Sequence, residues 1–252
     1  MNPIDYTVGD GIARITLAHP PVNALTRAHI DDLIAALRRA AADDAVQAVV
    51  LASAVPGRFC AGLDLKALHG QGADQIRALL DALYPGLVEA QRNLGKPSIA
   101  AIDGAARGGG MTLAISCDLI VASRSASFGY PEIDLGVLPA IHFHHLHRIV
   151  GRYRAFDLLF SGRRFDAAEA DRIGLLSRLV EPGQALPEAL ALARVIASKP
   201  PGALRRGRVA FHDAADNGYR AGVAQAVDSF CSVAVSDEGR AGVAAFAAGQ
   251  PR

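Results

Sequence analysis

The segment Ser98-Ile-Ala-Ala-Ile-Asp-Gly-Ala-Ala-Arg-Gly-Gly-Gly110 joins a continuous apolar run to a glycine triplet that opens a predicted helix. An earlier segment, Phe59-Cys-Ala-Gly-Leu-Asp-Leu-Lys66, has a similar glycine-bearing turn after an apolar stretch. Glycine allows a tight turn and the close approach of another group, because it has no Cβ. The N–H groups at a helix N-terminus are unpaired and carry partial positive charge. If the two turns converge, their N–H groups can hold a developing oxyanion, which predicts an enzyme of carbonyl chemistry.

Nearly continuous apolar runs indicate strands that are buried on both faces of a parallel sheet. The strand candidates are Gly11–Leu17, Val46–Ala52, Ser98–Ile102 and Leu119–Ala122. Thr26 is predicted to cap a helix with apolar residues at helical spacing, and a second helical segment lies between Gly70 and Leu94. The alternation of strands and helices predicts an α/β fold class.

The pattern changes in the last third of the chain. After Gly151 it predicts only helices, so the class changes from α/β to all-α at about residue 160. Asp166 and Glu169 form a predicted capping box, and Gly174 is expected to end that short helix. Further helices are predicted over Pro187–Ser198, over Leu204–Ala215 and, as a pair, within Tyr219–Ala247.

The composition argues against several classes of protein. The 252-residue chain is 51% hydrophobic, and its net charge of +1 gives no electrostatic reason to expect nucleic acid or a membrane as partner. No apolar run approaches a membrane span, and no signal peptide is recognisable. The odd, widely separated cysteines Cys60, Cys117 and Cys231 argue against disulfides and are expected to be small buried hydrophobes. We therefore expect a soluble, cytoplasmic protein.

A set of motifs occurs in a fixed order along the chain. Besides the two glycine turns it comprises Gly11-Ile-Ala-Arg-Ile-Thr-Leu17, Pro21-Val-Asn-Ala-Leu25, Lys96-Pro-Ser-Ile-Ala-Ala-Ile-Asp-Gly104, Cys117-Asp-Leu-Ile-Val-Ala122, Phe128-Gly-Tyr-Pro-Glu132, Gly136-Val-Leu-Pro139, Ser198-Lys-Pro-Pro201 and Glu238-Gly-Arg-Ala-Gly-Val-Ala-Ala-Phe246. This ordered set resembles the crotonase superfamily, also called the enoyl-CoA hydratase/isomerase family, along nearly the whole chain.

The resemblance implies a particular α/β architecture and a particular substrate class. It implies a crotonase-like spiral of ββα units over residues 1–195 and a helical C-terminal trimerisation region over 196–252. It further implies a homotrimer, or a hexamer built as a dimer of trimers. The substrate would be an acyl-CoA thioester, with coenzyme A as part of the substrate and no separate cofactor.

By position, the resemblance also implies which residues act on that substrate. The oxyanion donors would be the backbone N–H groups of Leu63 and Gly109. The remaining predicted substrate-binding residues are Ala61, Gly62, Asp64, Lys66, Gly110, Thr112 and Ala140. Lys66 stands where relatives place a basic group near the CoA phosphates.

The acid–base residues depart from the family pattern. Family hydratases use two glutamates, and the first position is Thr112 here while the second is Glu132. A threonine hydroxyl cannot store a proton near neutral pH. With one carboxylate left, the simplest chemistry is a proton shuttle that moves a double bond, as in the single-glutamate isomerases of the superfamily. Partial burial of Glu132 would raise its pKa and suit a reversible shuttle.

Three alternatives to isomerisation stay open. Hydration of a 2-enoyl-CoA could proceed through Glu132 alone or with His142. A non-hydrating C–C bond hydrolase or lyase on this scaffold would use the histidines as its catalytic groups. A catalytically degenerate protein would bind acyl-CoA without converting it, which the threonine at position 112 favours and Glu132 disfavours.

The segment Ala140-Ile-His-Phe-His-His-Leu-His147 is a second departure from the family pattern. His144 and His147 could share a helix face, but the His-Glu-x-x-His pattern is absent, so no metal site is predicted. His142 could point into the pocket as a second acid–base group, because imidazole titrates near working pH. Alternatively, these side chains narrow the pocket or lie at a subunit contact.

Three other side chains near these motifs remain undecided from the sequence. Asp134 would share the face of Glu132 if the two lay on an extended strand, and a structural role is expected for it. Tyr84 and Tyr130 are candidates for lining the acyl pocket.

Overall fold

The computed structural model describes residues 3–64, 67, 72–136, 138–216 and 237. The predicted CoA-phosphate contact of Lys66, the burial of Cys231 and the helices predicted within Tyr219–Ala247 lie outside these residues.

The strands of the described region follow one another in short pairs. They are β1 (Ile4–Gly9), β2 (Ile12–Leu17), β3 (Ala24–Leu25), β4 (Ala48–Ser53), β5 (Arg58–Cys60), β6 (Gly62–Leu63), β7 (Ser98–Ile102), β8 (Ala105–Arg107), β9 (Leu119–Ser123), β10 (Ser127–Gly129), β11 (Arg164–Asp166) and β12 (Arg178–Val180).

Helices separate these pairs. They are α1 (Arg27–Ala42), α2 (Ala73–Asp81), α3 (Leu87–Arg92), α4 (Gly109–Ser116), α5 (His142–Val150), α6 (Arg152–Ser161), α7 (Ala167–Arg172), α8 (Ala185–Ala197) and α9 (Pro201–Asp216). A π-helical turn over Ala82–Gly86 joins α2 to α3, and a 3₁₀ helix covers Pro131–Leu135.

Successive strand pairs build two larger sheets at the same time. A six-stranded sheet has the order β1-β2-β4-β7-β9-β12 and is parallel except for β1, whereas a four-stranded sheet has the order β11-β10-β8-β5. The pairs β4/β5, β7/β8 and β9/β10 each contribute one strand to each sheet, so the chain advances by one strand position per turn. A third sheet pairs β3 with β6 in parallel. The predicted α/β spiral of repeated ββα units is confirmed.

The six-stranded sheet is covered on both faces, which explains its continuous apolar strands. On one face, Ala185, Ala189 and Ala193 recur every fourth residue along α8 and pack on the buried side chains of β4, β7 and β9. The main core lies on the other face, where α1 contributes Ile30 and Leu33. Full burial of each such aliphatic side chain contributes about 1.5–3 kcal/mol.

The helix caps show which local predictions hold. The Thr26 hydroxyl accepts the His29 N–H at 3.4 Å and caps α1 as predicted. Asp166 accepts the Glu169 N–H at 2.7 Å, but the Glu169 carboxylate binds Arg163, so only half of the predicted capping box forms. Gly174 follows α7 with φ +81°, a left-handed conformation in which glycine is favoured.

The prediction that only helices follow Gly151 is wrong. Arg164–Asp166 adds to β10 as an antiparallel edge strand, and Arg178–Val180 adds to β9 in parallel. Both strands are three residues long and begin with an exposed arginine, so neither has the apolar run that marks a central strand.

Helix α9 is joined to the spiral by a buried ion pair. The Arg208 guanidinium Nε lies 2.9 Å from Asp118 Oδ2, and their side chains are 5% and 18% exposed. The same carboxylate oxygen accepts from the backbone N–H of Ser98 at 2.8 Å. None of the described helices is long and apolar enough to cross a membrane.

Candidate active site

The two glycine turns lie in direct contact. Gly62 has φ +93°, and a Cβ on it would lie 2.9 Å from the Arg107 carbonyl oxygen and 3.0 Å from the Gly109 nitrogen. Both distances are shorter than real Cβ contacts, so only glycine fits at this position. The convergence that the sequence predicts is therefore present.

Two backbone N–H groups lie at the junction of the turns. Gly109 begins α4, so its N–H has no partner within the helix. Leu63 lies on β6, and Asp64 donates its N–H to the Leu25 carbonyl at 2.9 Å, which ties the end of β6 to β3. A Cβ on Gly109 would lie 3.4 Å from the Leu63 nitrogen, so the two nitrogens are within about 6 Å of each other. One oxygen can accept from both donors at that separation.

The Glu132 carboxyl packs against the first glycine of the triplet. A Cβ on Gly108 would lie 2.8 Å from Glu132 Oε1, and Gly108 has φ +48°. Gly108 donates its N–H to the Gly129 carbonyl at 3.2 Å, which ties the triplet to the strand that leads to Glu132. The Glu132 carboxyl therefore lies against Gly108, one residue before Gly109.

The environment of Glu132 favours the protonated form of its carboxyl group. Burial raises its pKa above the ordinary value, and a hydrogen bond with its own backbone opposes the shift. The phenols of Tyr84 and Tyr130 are close enough for the carboxylate to raise the pKa of each, after the larger effect of burial. The predicted rise in the pKa of Glu132 is confirmed.

The position of the family's first glutamate is occupied by a neutral pair. Thr112 Oγ1 lies 3.2 Å from His142 Nε2, and the two residues are 5% and 1% exposed. His142 begins the apolar face of α5, which continues through Leu146 and Val150 and fixes the ring against the core. The His142 ring therefore lies beside the Thr112 side chain.

The predicted titration of His142 near working pH is wrong. Burial, and to a smaller extent the neighbouring His145, lower its pKa to about 3. The Gly108 backbone opposes this shift, although it forms no aligned hydrogen bond with Nδ1. The ring is thus neutral at neutral pH and acts as a hydrogen-bonding group rather than as a proton store.

The family of the chain is established by comparison with known proteins. The model of the family described as "Enoyl-CoA hydratase/isomerase" matches residues 7–251. The chain belongs to the enoyl-CoA hydratase/isomerase family. It is 41% identical to a Rhizobium meliloti protein named "Probable enoyl-CoA hydratase", over 94% of this chain and 91% of that protein.

Solved structures agree with this assignment. An enoyl-CoA hydratase from Bacillus anthracis superposes with a TM-score of 0.93 at 29% identity, covering 99% of this chain and 97% of that one. The human enoyl Coenzyme A hydratase domain-containing protein 3 superposes with a TM-score of 0.94 at 27% identity, covering 99% of both chains. The predicted resemblance, fold and enzyme class are confirmed, and the chain is an acyl-CoA enzyme of this family.

The other predicted substrate-binding residues differ in their exposure to solvent. Ala61 and Ala140 are exposed, and Asp64 is half-buried with its carboxylate accepting the Ala67 N–H at 3.2 Å. Gly110 is tightly packed, because a Cβ there would lie 2.3 Å from the Cys60 carbonyl oxygen. Cys60 and Cys117 are buried, as predicted.

An apolar surface cavity adjoins the first turn. It has a volume of about 460 Å³ and is lined by Leu25, Asp64, Leu79 and neighbouring residues. Leu25 also contacts the oxyanion turn, because its Cδ1 atom would lie 3.3 Å from a Cβ on Gly109. Leu25 thus contacts both the cavity and the turn that carries Gly109.

Two further expectations about side chains are decided by the helices that carry them. Asp134 lies on the 3₁₀ helix rather than on an extended strand, is exposed and faces Gly162, so it does not share the face of Glu132. On α5, His144 and His147 are exposed, and His147 Nδ1 lies 2.8 Å from the Phe143 carbonyl oxygen. Among the residues described, no three His, Cys, Asp or Glu side chains converge as metal ligands.

Sequence reasoning left Tyr130 undecided, although it is the largest fully buried side chain beside the carboxyl. Its ring packs on His142 with centroids 4.6 Å apart. Its position directly before Pro131-Glu132 is the signal that could have placed it at the site.

Proposed function

We propose that this protein moves a carbon–carbon double bond within an enoyl-CoA thioester, using Glu132 as its single proton shuttle. The observation that carries the proposal is the contact of the Glu132 carboxyl with Gly108, next to the two backbone donors. Thr112 and the neutral His142 occupy the position where a second carboxyl would be needed for a separate base.

The proposed reaction needs one proton and no water. The Glu132 carboxylate removes a proton from C2 of a 3-enoyl-CoA, and the electrons move onto the thioester oxygen. The N–H groups of Leu63 and Gly109 stabilise this dienolate, and each such donor contributes about 3–4 kcal/mol to the transition state. The Glu132 carboxyl then returns the proton to C4, so that the double bond lies between C2 and C3.

The raised pKa of Glu132 supports this double role. A carboxyl with an ordinary pKa is a weak base near neutral pH, whereas burial makes removal and return of the proton more evenly matched. Coenzyme A is part of the proposed substrate, and no separate cofactor takes part. The homotrimer or hexamer implied by the family resemblance is part of the same proposal, as are Ala61, Gly62, Asp64, Lys66, Gly110, Thr112 and Ala140 as substrate-binding residues.

Hydration of a 2-enoyl-CoA is the second candidate. It is favoured by the Thr112–His142 pair, which can orient a water by hydrogen bonds without changing charge. Relatives named as enoyl-CoA hydratases also favour it. In this mechanism Glu132 would both activate the water and protonate C2, which makes one group responsible for two proton transfers.

A substrate screen separates these candidates. The protein is incubated with 2-enoyl-, 3-enoyl- and 3-oxoacyl-CoA thioesters, and the products are identified by mass and by chromatography. Conversion of 3-enoyl-CoA to 2-enoyl-CoA at unchanged mass supports the proposal. A gain of one water from 2-enoyl-CoA, without double-bond migration, supports hydration. Binding of every thioester without any product contradicts both.

The screen includes a pair of matched variants. Glu132→Gln removes the proposed shuttle, whereas Asp134→Asn neutralises the exposed acid two residues away. We expect only the first to abolish turnover. Equal loss in both would indicate damage to the 3₁₀ helix rather than removal of a catalytic group.

A further inference from the structure

Two buried aromatic rings next to Glu132 each carry a polar atom without a protein partner. In the described part of the chain, Tyr130 Oη and His142 Nδ1 make no hydrogen bond, and neither does Glu132 Oε2. Tyr130 is 0% exposed and His142 is 1% exposed. Since most buried polar atoms in proteins find a partner, several unpartnered atoms in neighbouring residues indicate a partner from outside the chain, either a ligand oxygen or an ordered water.

The residues that carry these atoms form one contiguous cluster. The rings of Tyr130 and His142 pack at a centroid distance of 4.6 Å. His142 Nε2 reaches Thr112 on α4, the helix whose first residue is the oxyanion donor Gly109. Glu132 follows Tyr130 by two residues and touches Gly108. The cluster therefore adjoins both the proton shuttle and the oxyanion helix.

The chemistry of the cluster suits a neutral oxygen. A phenol O–H can donate or accept, and a neutral imidazole has one N–H and one acceptor nitrogen. If Thr112 donates to Nε2, then Nδ1 carries the free N–H, and in the other tautomer Nδ1 is the free acceptor. A carboxylate would be disfavoured, because Glu132 already provides negative charge beside an uncharged wall. A plain hydrocarbon chain would leave each of these polar atoms buried and unpaired.

We propose that Tyr130 and His142 form an oxygen-recognition subsite, so that the preferred acyl group carries a hydroxyl or carbonyl oxygen beyond the thioester. This inference rests on the proposed function, since it concerns the acyl group held beside Glu132. It narrows the substrate class from unsubstituted enoyl-CoA to oxygenated acyl-CoA.

Binding measurements test the subsite independently of turnover. Butanoyl-CoA, 3-hydroxybutanoyl-CoA and 4-hydroxybutanoyl-CoA are titrated into the protein by calorimetry. We expect at least one hydroxylated thioester to bind about tenfold more tightly than butanoyl-CoA, the ratio for one well-placed hydrogen bond. Equal affinity for all three thioesters would overturn the proposal and would leave the isomerase proposal standing. Conversely, failure to convert 3-enoyl-CoA would overturn the isomerase proposal and would leave the subsite proposal standing.

Variants identify the residues responsible. Tyr130→Phe and His142→Asn should each reduce the preference for the hydroxylated thioester to about twofold or less, with the affinity for butanoyl-CoA unchanged or improved. Tyr6→Phe is the matched control, since Tyr6 on β1 also has a partnerless buried hydroxyl away from the site. Melting curves confirm folding. Retention of the preference in both site variants, or its equal loss in Tyr6→Phe, would overturn the proposal.

Discussion

The His142 imidazole and the Thr112 hydroxyl meet at 3.2 Å in the interior of the protein. Neither group is ionised near neutral pH, because a threonine hydroxyl does not titrate and burial lowers the pKa of His142 to about 3. A neutral pair thus stands at the position where family hydratases have their first glutamate. In the proposed reaction, the proton chemistry therefore rests on Glu132.

The buried neutral ring predicts a loss of stability in acid. The folded pKa of His142, about 3, lies below its ordinary value of 6.5, so below pH 6.5 the unfolded chain binds a proton that the folded chain excludes. At pH 5 this costs about 2 kcal/mol of unfolding free energy relative to pH 7. We expect the unfolding free energy of His142→Asn, measured by denaturant unfolding, to decrease less from pH 7 to pH 5 than that of the wild-type protein.

The control for this prediction is His147→Asn on the same helix. His147 is exposed, so its replacement should leave the pH dependence of the wild-type protein unchanged. Thr112, Tyr130, His145 and Gly108 surround the His142 ring. An identical pH dependence in wild type and His142→Asn would show that the ring does not remain neutral.

The contact between Gly108 and Glu132 predicts that Gly108→Ala lowers activity beyond its effect on stability. Gly108→Ala forces a Cβ to within 2.8 Å of Glu132 Oε1 and should displace the carboxyl from the site. Gly183 has φ +77° and open space within 4 Å of where a Cβ would stand, so Gly183→Ala places a side chain at a positive φ without the collision. Both variants should lose about 1–3 kcal/mol of stability. Only Gly108→Ala should also lose kcat, by about tenfold or more, and equal kcat in the two variants would contradict the contact.

The ion pair between α9 and the spiral predicts a large loss of stability on truncation. Within the described chain, Arg208→Ala leaves the nearly buried Asp118 with only Ser98 and His212 as partners and should cost about 2 kcal/mol in denaturant unfolding. Arg194→Ala, in the exposed pair with Asp10, is the control and should cost less than about 1 kcal/mol. Similar losses in both would mean that α9 is not held by this pair.

Local sequence features predicted the parts of the fold that depend on neighbours in the chain. The cap at Thr26 and the run Ser98–Ile102 follow from side-chain chemistry and apolar spacing within a few residues. The edge strands Arg164–Asp166 and Arg178–Val180 were missed, since their pairing is set by distant strands rather than by their own short, polar-edged sequences. For the same reason, the pair of Asp118 with Arg208, 90 residues apart, has no local signal.

The candidate site was predictable in outline for a different reason. Glycine allows two backbones to come into contact, so the glycines at positions 62 and 109 indicate in the sequence that the two turns meet. The protonation state of His142 was not predictable, because it depends on burial by residues from other elements. The partnerless hydroxyl of Tyr130 likewise becomes apparent only when the surrounding chain is in place.

The single shuttle predicts a simple pH profile for kcat/KM. Activity requires the Glu132 carboxylate, so kcat/KM should fall by tenfold per pH unit in acid, below a pKa that lies above the ordinary glutamate value. Tyr84 and Tyr130 have pKa values raised above 10.0, so neither should produce a basic limb below pH 9. A second ionisation near pH 6.5 in the profile would indicate that His142 titrates and takes part in proton transfer.

The most direct test of the account is the conversion of 3-enoyl-CoA by wild-type protein and by Glu132→Gln, followed by product mass and double-bond position. We predict that wild type gives 2-enoyl-CoA of unchanged mass and that Glu132→Gln, folded by its melting curve, is slower by about 10³-fold. A product heavier by one water as the only product of wild type, or full isomerase activity in Glu132→Gln, would contradict the single-glutamate shuttle.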